Sequence, residues 1–143
     1  MAIRISKAEG EWAGELKDGK GTMKLGSGPF TGVFTAATRF DQAAGTNPEE
    51  LIGAAHAGCY SMMLVFLLGE KGFKSKRVRT AAKVHMDAAT FKLTKIELET
   101  EAEVPGVDQK TFLEQAELAK KNCPVSQSLS PSIEISLKAT LKG

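Results

Sequence analysis

The chain is poor in most residues that announce a chemistry. Its 143 residues hold two cysteines, two histidines, one tryptophan and one tyrosine. Two cysteines are too few for a disulfide scaffold. Residues 1–4 open no apolar run of signal-peptide length, so a cytoplasmic, reducing location is expected. In that setting a thiol pair is more often catalytic, redox-active or metal-binding than a structural bridge. Charge of one sign is also missing: 19 Lys+Arg stand against 17 Asp+Glu, a formal +2, so neither nucleic acid nor a membrane surface is expected as a partner. There is no Cys-x-x-Cys and no His-Glu-x-x-His. Among Cys59, Cys123, His56 and His85 only His56 and Cys59 are close in sequence, so no metal is expected. Neither a Gly-x-Ser-x-Gly elbow nor a phosphate-binding glycine loop is present, and no cofactor is expected.

One long uncharged run does exist, the 18 residues from Leu51 to Leu68. Its length approaches a membrane span, but its first half contains Gly53, His56, Gly58, Cys59 and Ser61. A helix buried on most sides of a soluble domain or dimer is the better expectation.

With 42% hydrophobic and 25% charged residues, residues 1–143 fit one α+β domain. Residues 8–26 read as a β-hairpin, with Trp12, Gly14 and Leu16 on one strand face and a turn at Asp18-Gly19. Residues 33–40 read as a further short extended segment. Gly45-Thr46-Asn47-Pro48-Glu49-Glu50 predicts a helix start, with Thr46 or Asn47 as N-cap and Pro48 at the first position. The helix should reach Gly69 or Gly72. Residues 76–87 and 92–104 read as strands, the second alternating an apolar face (Ile96, Leu98, Ala102) with a charged one. Asp108 or Thr111 opens a second helix, broken at Asn122-Cys123-Pro124, and 133–141 alternate as a last strand. That order predicts a mostly antiparallel sheet covering helices.

The reactive form of cysteine is the thiolate, so a nucleophilic cysteine needs something that lowers its pKa. Local sequence nominates Cys123, which precedes Pro124 and could cap a short helix. Cys59 lies mid-helix, where burial raises the pKa. It would need a cation from elsewhere, and Arg39 and His56 are the candidates. For either cysteine alone, a small buried hydrophobe is the plain alternative.

The stretch from Thr46 to Met62, TNPEELIGAAHAGCYSM, resembles the central-helix signature of the OsmC/Ohr family, closest to its OsmC branch. Asn122-Cys123-Pro124-Val125-Ser126 is similar to that family's second-cysteine motif, and the Trp12 hairpin, Thr38-Arg39-Phe40 and Val104-Pro105-Gly106-Val107 extend the likeness along the chain. The resemblance implies an OsmC-like fold, with the sheet wrapped around a long central helix, and an intertwined homodimer. It implies a thiol-dependent peroxidase that reduces organic hydroperoxides to alcohols. Cys59 would be the peroxidatic thiol, passing through a sulfenic acid, and Cys123 the resolving thiol that closes a disulfide with it. Arg39 would hold the thiolate and Glu49 would pair with Arg39. The implied reductant is a dithiol carried as a lipoyl group on a partner protein. These assignments displace the local nomination of Cys123 as nucleophile.

Glu49 and Cys59 lie ten residues apart, about 15 Å along one helix. Two copies of the helix packed antiparallel about a two-fold axis would bring Glu49 of one chain toward Cys59 of the other, with Gly53, Ala54, Ala57 and Gly58 permitting close approach. Against this stand a redox-inert carrier of a small lipophilic ligand and a stress-response dimer with unreactive thiols.

Overall fold

A computed structural model describes residues 3–142. The chain divides into two compact units, one ending at Leu51 and one starting at Ile52.

The N-terminal unit is built on three antiparallel strands, β1 (Ala8–Ala13), β2 (Lys20–Leu25) and β3 (Thr31–Phe34), in the order β1-β2-β3. Register places Gly21 opposite both Trp12 and Phe34. Its missing side chain matters: a Cβ there would stand 2.5 Å from the Phe34 ring and 2.7 Å from Trp12, whose rings meet at 5.5 Å between centroids. The hairpin is as expected, but β1 stops at Ala13 because Gly14 turns the chain at φ +93°, so Leu16 lies in the turn and is exposed. The expected extended segment over 33–40 is half correct. After Phe34 the Thr35 hydroxyl caps Thr38 N–H while the Thr38 hydroxyl returns to Thr35 N–H. This capping box starts the short helix α1 (Ala36–Phe40), and Arg39 sits in its last turn.

Helix α2 (Pro48–Glu70) begins in the first unit and runs on through the second. Asn47 is its N-cap, accepting from Glu50 N–H at 2.8 Å. It ends one residue pair early relative to Gly72, which sits at φ +88°. Phe73 N–H bonds Leu68 C=O and Gly72 N–H bonds Gly69 C=O, a Schellman ending.

The C-terminal unit holds a second sheet, β4 (Arg77–Asp87), β5 (Lys92–Glu103) and β6 (Glu134–Lys142), in the order β4-β5-β6. The strands thus form two three-stranded sheets. β4 and β5 are antiparallel, whereas β6 lies parallel to β5 because helices α3 (Gln109–Asn122) and α4 (Pro124–Leu129) carry the chain back across. Three of the four strand pairings remain antiparallel. Asp108 caps α3 through Thr111 N–H, and Cys123 ends it. The core unites Tyr60, Leu64 and Leu68 of α2, Ile96, Leu98 and Ala102 of β5, and Phe112, Ala116 and Ala119 of α3.

α2 is long and apolar enough to cross a membrane by length and composition. Burial on most sides was expected inside a soluble domain or dimer, and the single chain supplies one side of it. Only one stripe, Glu49, Gly53, His56, Tyr60, Leu64 and Leu68, is buried, at the i, i+3/i+4 spacing of one helix face. Ala54, Ala55, Gly58, Met62, Val65 and Phe66 are exposed in the single chain, Met62 by 76%.

Leu64→Ala should lower unfolding free energy by about 2–5 kcal/mol, because its side chain has no exposure. The half-exposed Leu113→Ala on α3 should cost below about 1 kcal/mol, and urea titration of the two variants measures the contrast.

Candidate functional site

The structure places the four predicted site residues as two contacts, one in each unit. In the N-terminal unit, α1 carries Arg39 and the first turn of α2 carries Glu49. Asn47 Nδ2 donates to Thr38 C=O at 3.1 Å, which joins the two helix ends directly beside these residues. Arg39 then donates from Nε at 3.1 Å and from Nη2 at 2.8 Å to one oxygen, Glu49 Oε1. Glu49 is buried, while the Arg39 side chain keeps 39% of its surface exposed. A buried carboxylate without such a cation would carry the full cost of desolvation. The guanidinium offsets it and still presents an open edge.

In the C-terminal unit, Cys59 of α2 faces Cys123 at the junction of α3 and α4. Both are free thiols, and Cys123 Sγ donates to Cys59 Sγ at 2.8 Å. A disulfide needs about 2.05 Å, so less than an ångström separates the contact from the bond. Cys123 ends α3 through its N–H to Ala119 C=O at 2.9 Å, and Pro124 then starts α4, so the sulfur is held at a rigid corner with no solvent exposure. The expectation that a short helix restarts at residue 124 holds, but Cys123 makes no side-chain cap to it. Instead the backbone N–H of Val125 donates to Cys59, the one local influence that lowers this thiol's pKa. Burial, followed by the side-chain contact with Cys123, pushes it up and prevails.

One turn away, His56 Nε2 meets Ser126 Oγ at 2.7 Å, both residues fully buried. Burial lowers the His56 pKa and keeps the ring neutral. Of the two candidate cations for Cys59, His56 is thereby removed, since its ring is uncharged and committed to Ser126. Ser126 and the Val125 N–H were not singled out from the sequence. The available signal was spacing: Ser126 follows Cys123 by three residues just as His56 precedes Cys59 by three.

An α+β chain whose long helix sets one free thiol against another defines a class of dithiol protein. Among families, the OsmC-like protein profile matches residues 40–138, and the chain belongs to that family. Peroxiredoxin OsmC of Escherichia coli (strain K12) is 47% identical over 132 residues, covering 90% of this chain and 92% of its own, so the family is a peroxiredoxin-type one. Solved structures carry the same fold. An OsmC-like protein from Mycoplasma pneumoniae superposes with TM-score 0.78 at 16% identity over 99% of this chain and 100% of that one. An organic hydroperoxide resistance protein OsmC from Legionella pneumophila gives 0.75 at 18% identity over 98% and 99%.

The lowered His56 pKa has a consequence for stability. A ring buried neutral contributes stability that is present above its unfolded value of about 6.5 and lost as pH falls through the depressed folded value, because only the unfolded chain is then protonated freely. The urea midpoint of wild type should therefore fall from pH 7.5 to pH 5 more steeply than that of His56→Gln.

Proposed function

We propose that this chain is a cysteine-based peroxidase that reduces organic hydroperoxides to alcohols, with Cys59 as nucleophile and Cys123 as resolving thiol. The observation that carries the reading is the 2.8 Å contact between the two sulfurs. The name of the 47%-identical relative supports the same class. Cys59 thiolate attacks the outer oxygen of ROOH, the O–O bond breaks, and the alkoxide leaves to be protonated as ROH. Cys59 is then a sulfenic acid. The Cys123 thiol condenses with it, forming the S–S bond and releasing water. A dithiol, by family likeness a lipoyl group on a partner protein, reduces the disulfide through a mixed disulfide. The setting is cytoplasmic.

Burial raises the Cys59 pKa in the single chain, so activation needs the guanidinium of Arg39. We place it across a homodimer axis formed by the uncovered stripe of α2. Gly58 supports this arrangement: it is exposed, and a Cβ added there would meet nothing within 4 Å. No intrachain contact calls for glycine at that point, whereas close approach of a second helix does. At Gly53, expected to serve the same purpose, an added Cβ would instead stand 3.2 Å from Val84 of its own chain.

Two experiments test the reading. Wild type should consume cumene hydroperoxide with dihydrolipoamide, and with a higher kcat/KM than for hydrogen peroxide. Cys59→Ser should fall to the uncatalysed rate, while Cys123→Ser should stop after one turnover. Activity retained in Cys59→Ser would sink the assignment. For the dimer, sedimentation velocity should show two chains for wild type and one for a folded Gly58→Leu variant. A monomeric wild type, or a Gly58→Leu dimer, would remove the composite site.

A further inference from the structure

Helix α4 has six residues, too few to be stable by propensity alone, yet it positions both Cys123 and the Val125 N–H. Among the described residues, three polar contacts join it and Cys123 to α2. Two of them, the thiol–thiol hydrogen bond and the Val125 N–H to sulfur, end on Cys59 Sγ. The third is His56 Nε2 to Ser126 Oγ at 2.7 Å. It alone involves no sulfur. His56 and Cys59 lie three apart on α2, and Cys123 and Ser126 lie three apart on the facing segment, so the two cross-links stand one helical turn from each other. His56 Nδ1 is buried without a hydrogen-bond partner. An orphaned N–H is costlier than an orphaned lone pair. The favoured tautomer therefore has Nε2–H donating to Ser126 and Nδ1 bare.

We infer that the His56–Ser126 pair is a positioning clamp for the resolving step, holding Cys123 against Cys59 after Cys59 has been oxidised. The inference rests on the peroxidase reading above. Once Cys59 is a sulfenic acid, the thiol–thiol hydrogen bond no longer exists and the added oxygen occupies space near Cys123. Closure requires the Cys123 sulfur to reach the Cys59 sulfur. The S–O bond breaks, the S–S bond forms, and the hydroxide leaves as water with the proton of Cys123. The hydroperoxide already consumed supplies the oxidising equivalents. During this interval His56 and Ser126 keep α4 seated, because their bond does not change with the redox state of the sulfurs. Without the clamp, closure slows and a second hydroperoxide can carry the sulfenic acid on to sulfinic acid.

The test is single-turnover oxidation of the reduced protein by cumene hydroperoxide, with acid quench and mass spectrometry resolving sulfenic, sulfinic and disulfide forms. Ser126→Ala removes one oxygen atom, and His56→Leu removes the donor. Both should leave the rate of sulfenic acid formation within about twofold of wild type and slow disulfide closure about tenfold, as expected for loss of one buried hydrogen bond. Sulfinic acid should rise in excess peroxide. His56→Gln, whose amide can still donate to Ser126, should recover most of the closure rate. A loss that is only structural would slow both steps together and would not be rescued, and that outcome overturns the clamp. So does closure in Ser126→Ala at the wild-type rate; this milder variant decides if His56→Leu fails to fold. Closure driven by diamide keeps the two claims apart. Wild type that closes with diamide but not with hydroperoxide overturns the peroxidase reading. Wild type that closes with both, matched in rate by Ser126→Ala, overturns the clamp alone.

Discussion

Helix α2 can bury only one face in its own chain, and that face carries polar groups that each demand a specific partner. His56 finds Ser126 and the Tyr60 hydroxyl donates to Ala116 C=O at 3.0 Å, while at the edge of that face the half-buried Ser61 meets Thr80 at 2.7 Å. A buried polar group left without its partner costs about 1–3 kcal/mol, so these three bonds act together as a register. They fix how the helix is rotated and how far it has slid against α4, α3 and β4. Cys59 lies between His56 and Tyr60 in sequence and has no freedom to point elsewhere. The sulfur contact follows from the register of its neighbours, and the sulfurs themselves need supply little of the energy that holds it.

The same burial that sets the contact works against its chemistry. A thiol taken out of water resists ionisation, and the side-chain contact with Cys123 adds to the resistance. One backbone N–H, from Val125, opposes both. Arg39 is meanwhile tied to Glu49 through two of its donors. A guanidinium has five N–H groups, so orientation by a carboxylate leaves donors to aim at an anion. Glu49 thus has the part of an orienting partner for the cation.

Much of this was legible in the sequence where the signal is local. Pro48 and the carboxylates of Glu49 and Glu50 marked the start of α2, leaving only Thr46 or Asn47 open as its cap, and Asn47 takes that place. Ile96, Leu98 and Ala102 marked the buried face of β5 by alternation. What failed to read locally has identifiable causes. The helix α1 depends on a capping box between Thr35 and Thr38, two β-branched residues that look like strand. The parallel placement of β6 depends on how α3 carries the chain back, which no strand pattern records. Cys59 and Cys123 are 64 residues apart, so no local pattern announces that their sulfurs meet. Ser126 escaped because a serine in a short helix looks like any surface serine until its partner is known.

The uncovered stripe of α2 bears on the proposed dimer through two separate energetic arguments. Leaving Met62 and Phe66 in water forgoes about 1.5–3 kcal/mol for each side chain that could be buried. Glycine at position 58 costs the helix a further amount of up to about 1 kcal/mol, with no neighbour in the chain to justify it. A second α2 lying antiparallel answers the glycine. Setting Glu49 against the partner's Cys59 puts the two-fold axis beside Ala54, so the exposed small residues Ala54, Ala55 and Gly58 fall where the helix backbones come nearest. Met62 and Phe66, two and three turns further on, then pass beyond the end of the opposing helix. They would flank the approach to Cys59 with apolar surface, and the opposing Arg39–Glu49 pair would stand at its far side. A site assembled this way is apolar where the organic part of a hydroperoxide would lie and cationic where a thiolate must form.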